Sequence, residues 1–290
     1  MTIDELRKIH PDATEETWHR HPNGGGWVQN TATVADSASV GASAQVTEYA
    51  RVTGRACVTG RAYVAGHARV TEYARVSGSA RVTEYARVSG HAYVAGCACV
   101  YGCAHVTGRA YVFGHARVSG DAQVSGYARV SGDARVTESA EVAGCASVYG
   151  CARVTEYAEV AGSASVYGRA QVAGHAYVSG RAYVTGSAYV GGSAQVFGYA
   201  RVSGHAYVAG SACVSGSAEV TAGEWLASPL YIQGSRHALC QCSETEIVIG
   251  CEVHSIAHWL DHYAEIGREN GYTADEIAEY ARYIQMFVEG

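Results

Sequence analysis

From position 28 to position 220 one rule orders the apolar and polar residues of the chain. Valine occupies position 28 and every sixth position after it through Val220, 33 valines without an insertion or deletion. Alanine keeps the same step from Ala32 through Ala218. Each hexapeptide reads x-Ala-x-Val-x-Gly, as in ARVTEYARVSGHAYV at residues 80–94. Its first four residues alternate, with Ala and Val on one side and the variable residues on the other, which is the period of a strand with one buried face. The next two are Ser, Thr or Ala and then mostly Gly, a turn composition, since glycine tolerates backbone angles closed to other residues. A short strand and a corner repeated this strictly make no hairpins. They make a coil whose successive turns stack as parallel strands.

Valine at one position with a small residue four places on, as in Val88 with Ala92 and Val94 with Ala98, resembles the left-handed parallel β-helix of hexapeptide-repeat proteins. The resemblance covers residues 27–222. It departs from the family in one respect: the family often places glycine directly after the aliphatic residue, and here it falls one place later. The resemblance implies an all-β fold, a left-handed parallel β-helix of about eleven triangular coils. Three hexapeptides would make one coil, so residues 18 apart would stack. The left hand comes from the resemblance alone, because chain crossovers otherwise favour the right hand.

A stacked coil exposes strand edges and an apolar cross-section at each end, so atypical terminal units are expected. Three regions follow: an N-terminal helical cap over 1–26, the β-helix over 27–222, and a small α+β C-terminal cap over 223–290. The first cap is predicted to hold short helices over 2–9 and 14–20, with Trp18 and Trp27 covering the first coil. The last is predicted to hold strands around 229–233 and 246–250. Ile256, Trp259, Leu260, Tyr263 and Ile266 then recur at helical spacing. A second helix opens with the capping-box signature Thr273-Ala-Asp-Glu276 and continues through Ile277, Tyr280, Ile284 and Phe287. The segment EIVIGCEVHSIAHW resembles the C-terminal extension of hexapeptide-repeat proteins from bacterial and prophage genomes, and that likeness implies no activity.

Composition adds little beyond the repeat: 35 glycines and 21 tyrosines against three phenylalanines and three prolines. A net charge of −6 gives no nucleic-acid footprint. The opening MTIDELRKIHPDATEETWHRHP lacks an apolar run of about seven residues, so no secretory signal is expected. No stretch has the length to span a bilayer. A soluble cytoplasmic protein of a bacterial cell, or a component of a phage particle, is the expectation. Without a secretion signal the ten cysteines are expected as free thiols. No two repeat cysteines differ by 18, which excludes disulfides between adjacent coils.

The same arithmetic places candidate chemistry. Cys97, His115, Asp133 and Cys151 form one column, with a thiol, an imidazole and a carboxylate in the order of nucleophile, base and orienting acid. The column could equally offer metal ligands, and solvated surface decoration is the simpler reading. In the C-terminal region Cys240, Cys242, Cys251 and His254 loosely resemble a zinc set whose spacing fits no strong signature; small buried thiols are the simpler reading there. His258 and His262 fall off the apolar stripe of their helix and are expected on the surface. Arg51, Arg69 and Arg87 make one outward column of like charge, and Arg117, Arg135 and Arg153 a second. Glu138, Glu141, Glu156 and Glu159 lie beside the second column. Neutralisation is expected within the chain or against another subunit, with an anionic polymer as the lesser alternative. Tyr93 with Tyr111, and Tyr189 with Tyr207, offer flat faces for a partner. The chain also writes Thr-Glu for x-Gly at five corners, Thr47-Glu48 and Thr83-Glu84 among them. That coupling suggests a different corner conformation with the threonine hydroxyl on the turn backbone, or simply a duplicated cassette.

Two functional classes follow. One is a non-catalytic structural or interaction protein, a rigid scaffold presenting repeated side chains to a partner protein or to itself. It requires no cofactor and forms a homo-oligomer through a flat face, a trimer being one form. The other, implied by the resemblance, is an acyltransferase using acetyl-coenzyme A with a histidine base. The 33 unbroken repeats leave no protruding loop of the kind those enzymes use, which favours the scaffold. Zinc-dependent carbonic anhydrases of the same family place histidines across a trimer interface, and no such set is evident. Nor do the outward positions carry the threonine ladders of an ice-binding face.

Overall fold

In the computed structural model, which describes residues 1–289, the chain is a parallel β-solenoid of about eleven turns with a cap of different structure at each end. By contact it divides into two units, Met1–Ser163 and Ala164–Gly290. Strands pair at a constant offset of 18, for example Arg51 with Arg69 and Val52 with Val70. Every third strand joins the same sheet, giving parallel sheets of 13, 11 and 11 strands, the first of which starts with an antiparallel strand. The three are called here the Trp27, Ser39 and Arg51 faces after outward residues near their first coils. Inside, valine and alanine are sealed from solvent, Val52, Ala56 and Val124 at 0% exposure. Burial of one such valine is worth roughly 1.5 kcal/mol.

The strands are shorter than their alternation predicts. Each is two residues, an outward residue and its valine, as in Arg51–Val52. The other four form the corner, closed by a bond such as Ala50 N–H to the Thr47 carbonyl at 3.2 Å. Alanine therefore ends the corner while still facing inward, where a larger side chain would have the bend against it. Corners also bond to the next coil, Arg61 N–H to the Gly78 carbonyl at 2.6 Å and Ser79 N–H to that of Gly96 at 2.7 Å.

The corner glycine is required twice over. Gly60 has φ +66°, and a Cβ there would stand 2.7 Å from the carbonyl oxygen of Gly78. Glu48, Glu72, Glu84, Glu138 and Glu156 adopt the same left-handed angle, φ +56° to +62°. The Thr-Glu corners thus share the glycine conformation and do not form a different one. Among the described residues no threonine hydroxyl of these corners bonds the turn backbone; that of Thr47 donates instead to the Tyr63 hydroxyl at 3.2 Å. At Glu84 the left-handed strain has an offset, since its carboxylate accepts from the Gly102 N–H of the next corner at 2.9 Å; among the described residues the other four glutamates make no such bond. Nothing in the structure explains why threonine precedes each glutamate.

In the first unit a helix, α1 (Ile3–Arg7), starts at a reciprocal capping box between Thr2 and Glu5. Residues 14–20 are not helical. They form a turn, with Trp18 N–H to the Thr14 carbonyl at 3.0 Å, and a strand, Trp18–Arg20, antiparallel to Trp27–Gln29. The free edge of the Trp27 sheet is satisfied by this hairpin, for which Asn23-Gly24 was the legible signal. Leu6, Ala13, Trp18 and Trp27 bury one another there.

In the second unit the repeat ends on a step of 17: Tyr207 pairs with Glu224 and Val208 with Trp225. Trp225 takes the inward position of a valine, and its indole N–H donates to the Ala222 carbonyl at 2.8 Å. Four antiparallel strands follow, Tyr231–Gln233, Ala238–Gln241, Glu246–Ile249 and Glu252–Ser255, where two were predicted. Thr221 N–H donates to the Cys242 carbonyl, joining this sheet to the last repeat. Helices α2 (Ile256–Glu269) and α3 (Ala274–Glu289) cover it, and the predicted capping box closes between Thr273 and Glu276. Leu239, Ile247, Ile249, Trp259, Tyr280, Ile284 and Phe287 form the core.

Candidate interaction surface

Each hexapeptide exposes two side chains, one on its strand and one at its corner. The constant 18-residue register turns these into columns. Aromatic and cationic residues in them stack on one another. Along one corner Tyr49, His67 and Tyr85 lie ring on ring at 5.2 and 5.0 Å, with interplanar angles of 9°. Another corner carries Tyr73 on His91 at 4.9 Å, and Arg109 over Tyr127 at 5.6 Å. These corner stacks were not singled out in the sequence, although each pair differs by 18 and the same arithmetic finds them. On the Ser39 face Tyr93 and Tyr111 meet edge to face at 6.0 Å, and Arg129 lies over Tyr111 at 5.9 Å. Tyr189 and Tyr207 stack flat at 4.8 Å. Such stacks hold exposed rings in fixed orientations and so lower the entropy lost when a partner covers them.

Cys97, His115, Asp133 and Cys151 do share a corner column. Cys97 N–H bonds the Gly114 carbonyl, His115 that of Gly132, and Asp133 that of Gly150, at 2.7 to 2.8 Å. All four side chains are exposed, and among the described residues none is hydrogen-bonded or ion-paired to another. The geometry supplies the order of a triad without the contacts that would make one residue activate the next.

Both arginine columns stand as expected, Arg51–Arg69–Arg87 on the Arg51 face and Arg117–Arg135–Arg153 on the Trp27 face. All six side chains are exposed. Among the described residues neither column has a carboxylate within 4.0 Å, since every ion pair lies in the terminal caps. Neutralisation by Glu138 and Glu156 inside the chain is therefore not how these charges are offset. Glu141 and Glu159 stack on the Arg51 face. Burial first, and the Glu141 carboxylate second, hold Glu159 above the usual carboxylate range.

All ten thiols are free. Cys240 and Cys242 are buried in the cap sheet, while Cys251 is exposed on the turn after Ile249. Burial raises the Cys240 thiol to about 12 and raises Cys242 as well. The Cys240 thiol lies within hydrogen-bond reach of the Glu219 carbonyl at 3.7 Å, and that of Cys242 within reach of the Glu246 carbonyl at 3.5 Å. Among the described residues no three His, Cys, Asp or Glu side chains converge as a metal-ligand group. His254, His258 and His262 form a row with ring centroids 4.5 Å apart, the last two exposed on α2. Between the sheet and helices α2 and α3 lies a partly open pocket of about 180 Å³ lined by Ile249, Trp259, Ile277 and Ile284. Among the described residues no helix is long and apolar enough to cross a membrane.

These features define a β-solenoid repeat protein whose exposed side chains are organised in columns. A family model described as the YdcK beta solenoid repeat matches residues 128–143. That stretch contains three valines of the repeat and the Thr137-Glu138 corner. No curated protein matches the chain.

Proposed function

We propose that this protein is a non-catalytic scaffold, a solenoid that presents fixed columns of Arg, Tyr and His side chains to a partner protein or to further copies of itself. The observation that carries the reading is the invariant register of 18. It converts variable positions into ordered ladders, and the side chains of those ladders are held by stacking rather than gathered into a cleft. It works in the bacterial cytoplasm or in a phage particle, in keeping with the likeness of its C-terminal segment to prophage-borne extensions. The membership implied by the hexapeptide-repeat resemblance would make acyl transfer from acetyl-coenzyme A the rival activity, and the test is direct. The purified chain is incubated with radiolabelled acetyl-coenzyme A and a panel of sugars and amines. No transfer above background is expected. Transfer that disappears in the His115→Ala variant would replace the scaffold with an enzyme.

A further inference from the structure

After Thr33, the outward residues of the Arg51 face within the first unit run Arg51, Arg69, Arg87, His105, Gln123, Glu141, Glu159, each paired in register with the next. Its first half is basic and its second acidic. Each half repels itself, since like charges directly opposite across strands destabilise a sheet. Among the described residues none of these charges has an opposite charge within 4.0 Å in its own chain.

We propose that the Arg51 face is a self-docking surface, on which two copies of the chain associate with coil axes antiparallel about a twofold axis between the levels of His105 and Gln123. This deepens the scaffold reading and rests on it. The assignment follows from the order of charges. Reversing one copy about that level brings Arg87 opposite Glu141, Arg69 opposite Glu159 and His105 opposite Gln123. The twofold repeats each pair, so four oppositely charged pairs form, which neutralise both glutamates and two of the three arginines of each copy and leave Arg51 beyond them. An isologous contact of this kind needs one self-complementary patch and closes at two subunits. Facing sheets stand about 10 Å apart, a gap that an extended arginine and an extended glutamate span together.

The alternatives fit worse. Association with parallel axes would set Arg69 level with Arg69 and Glu159 level with Glu159, adding repulsion between copies. In the first unit the Trp27 face carries Arg81, Arg117, Arg135 and Arg153, and the Ser39 face Arg75 and Arg129, with no acidic residue at an outward strand position of either. Within the first unit the Arg51 face alone has both signs at its outward strand positions. At its rim Glu84 comes level with Glu138, but Glu84 is already tied to the Gly102 amide. Burial first, and the stacked Glu141 carboxylate second, raise Glu159, and a facing arginine opposes the second of these. Six levels spaced about 4.8 Å apart make a small contact, so a weak dimer with Kd on the order of micromolar is expected.

Sedimentation equilibrium of the full chain tests this. Wild type is expected to form a dimer whose Kd weakens roughly tenfold or more between 50 and 500 mM NaCl, through charge screening. Arg69→Glu/Arg87→Glu makes the four charged positions of the proposed contact all acidic, and Glu141→Arg/Glu159→Arg makes them all basic. Each should be monomeric alone, and an equimolar mixture should form a 1:1 complex. That mixture also shows that both variants are folded. All four substitutions in one chain should restore the homodimer. A monomeric wild type, or a mixture that does not reassociate, overturns the proposal. Variants that dimerise as tightly as wild type would move self-association to another face, leaving the scaffold reading standing and this assignment refuted.

Discussion

The stacked corners make the sharpest stability prediction. Alanine at Gly60 must hold φ near +66°, at a cost of about 1–2 kcal/mol for an L-residue. Its Cβ meets the carbonyl oxygen and amide nitrogen of Gly78 at 2.7 and 2.9 Å. These are backbone atoms that cannot swing aside, so the next coil must shift, and overpacking of this kind costs about 1–3 kcal/mol. Reduced freedom of the unfolded chain returns roughly 0.4–1 kcal/mol. The net expectation is a loss of about 2–4 kcal/mol, read as a lower urea midpoint with unchanged slope. Glutamate at the same site has the same backbone strain, yet it can do what Glu84 does and accept from the N–H of the next corner, here Gly78. A charge-assisted bond of that type is worth about 1.5–3 kcal/mol, less where solvent competes. Gly60→Glu should therefore be milder than Gly60→Ala, although it is the larger substitution. At position 84 the converse order is expected: Glu84→Ala keeps the strain and loses the bond, so it should be less stable than Glu84→Gly. An alanine at position 60 tolerated as well as glutamate, or an alanine at position 84 as stable as glycine, would refute the corner mechanism.

The interior, the cap and the thiols give further tests. Val124→Ala, at a fully buried site, should cost about 2–3 kcal/mol by chemical denaturation, since neighbouring coils cannot collapse into the gap. Tyr280→Phe should lower the stability of the C-terminal cap by about 1–3 kcal/mol, because the phenol donates to the His237 carbonyl at 2.7 Å and accepts from the Arg236 N–H at 3.1 Å. Loss of amide-exchange protection at residues 236–238 would report it. In a pulse of iodoacetamide at pH 8, peptide mapping should find exposed Cys97 and Cys151 labelled well before Cys240. With its thiol raised from 9.0 to about 12, Cys240 supplies stability that is present in full below pH 9 and lost as pH climbs toward 12. Cys240→Ala should accordingly show a shallower alkaline loss than wild type.

The repeat was legible residue by residue because a solenoid's contacts are fixed offsets. Once Val and Ala recur every sixth position and coils close after 18, pairings such as Tyr93 with Tyr111 or Arg69 with Arg87 follow by subtraction. The C-terminal helices were legible for a similar reason, as a local period and a capping box declare them. The N-terminal hairpin was misread as helix because a free strand edge is a demand made by the first coil, not by residues 14–20 themselves. The two extra cap strands were missed because short antiparallel strands are defined by their partners.

The sequence alone therefore determined the strand period, the buried Val-Ala interior, the stacking columns and the helical tail. These depend on repeating local patterns and on chain connectivity. Only the tertiary structure decided that glutamate adopts the left-handed corner and that Glu84 binds the next coil's amide. It alone showed that, among the described residues, the Cys97–His115–Asp133 column has order without a hydrogen bond or ion pair between its members, and the arginine ladders have no carboxylate within 4.0 Å. Those outcomes turn on distances of a few ångströms between side chains on different coils. A register names the neighbours of a residue, but whether two of them touch depends on rotamers and exposure.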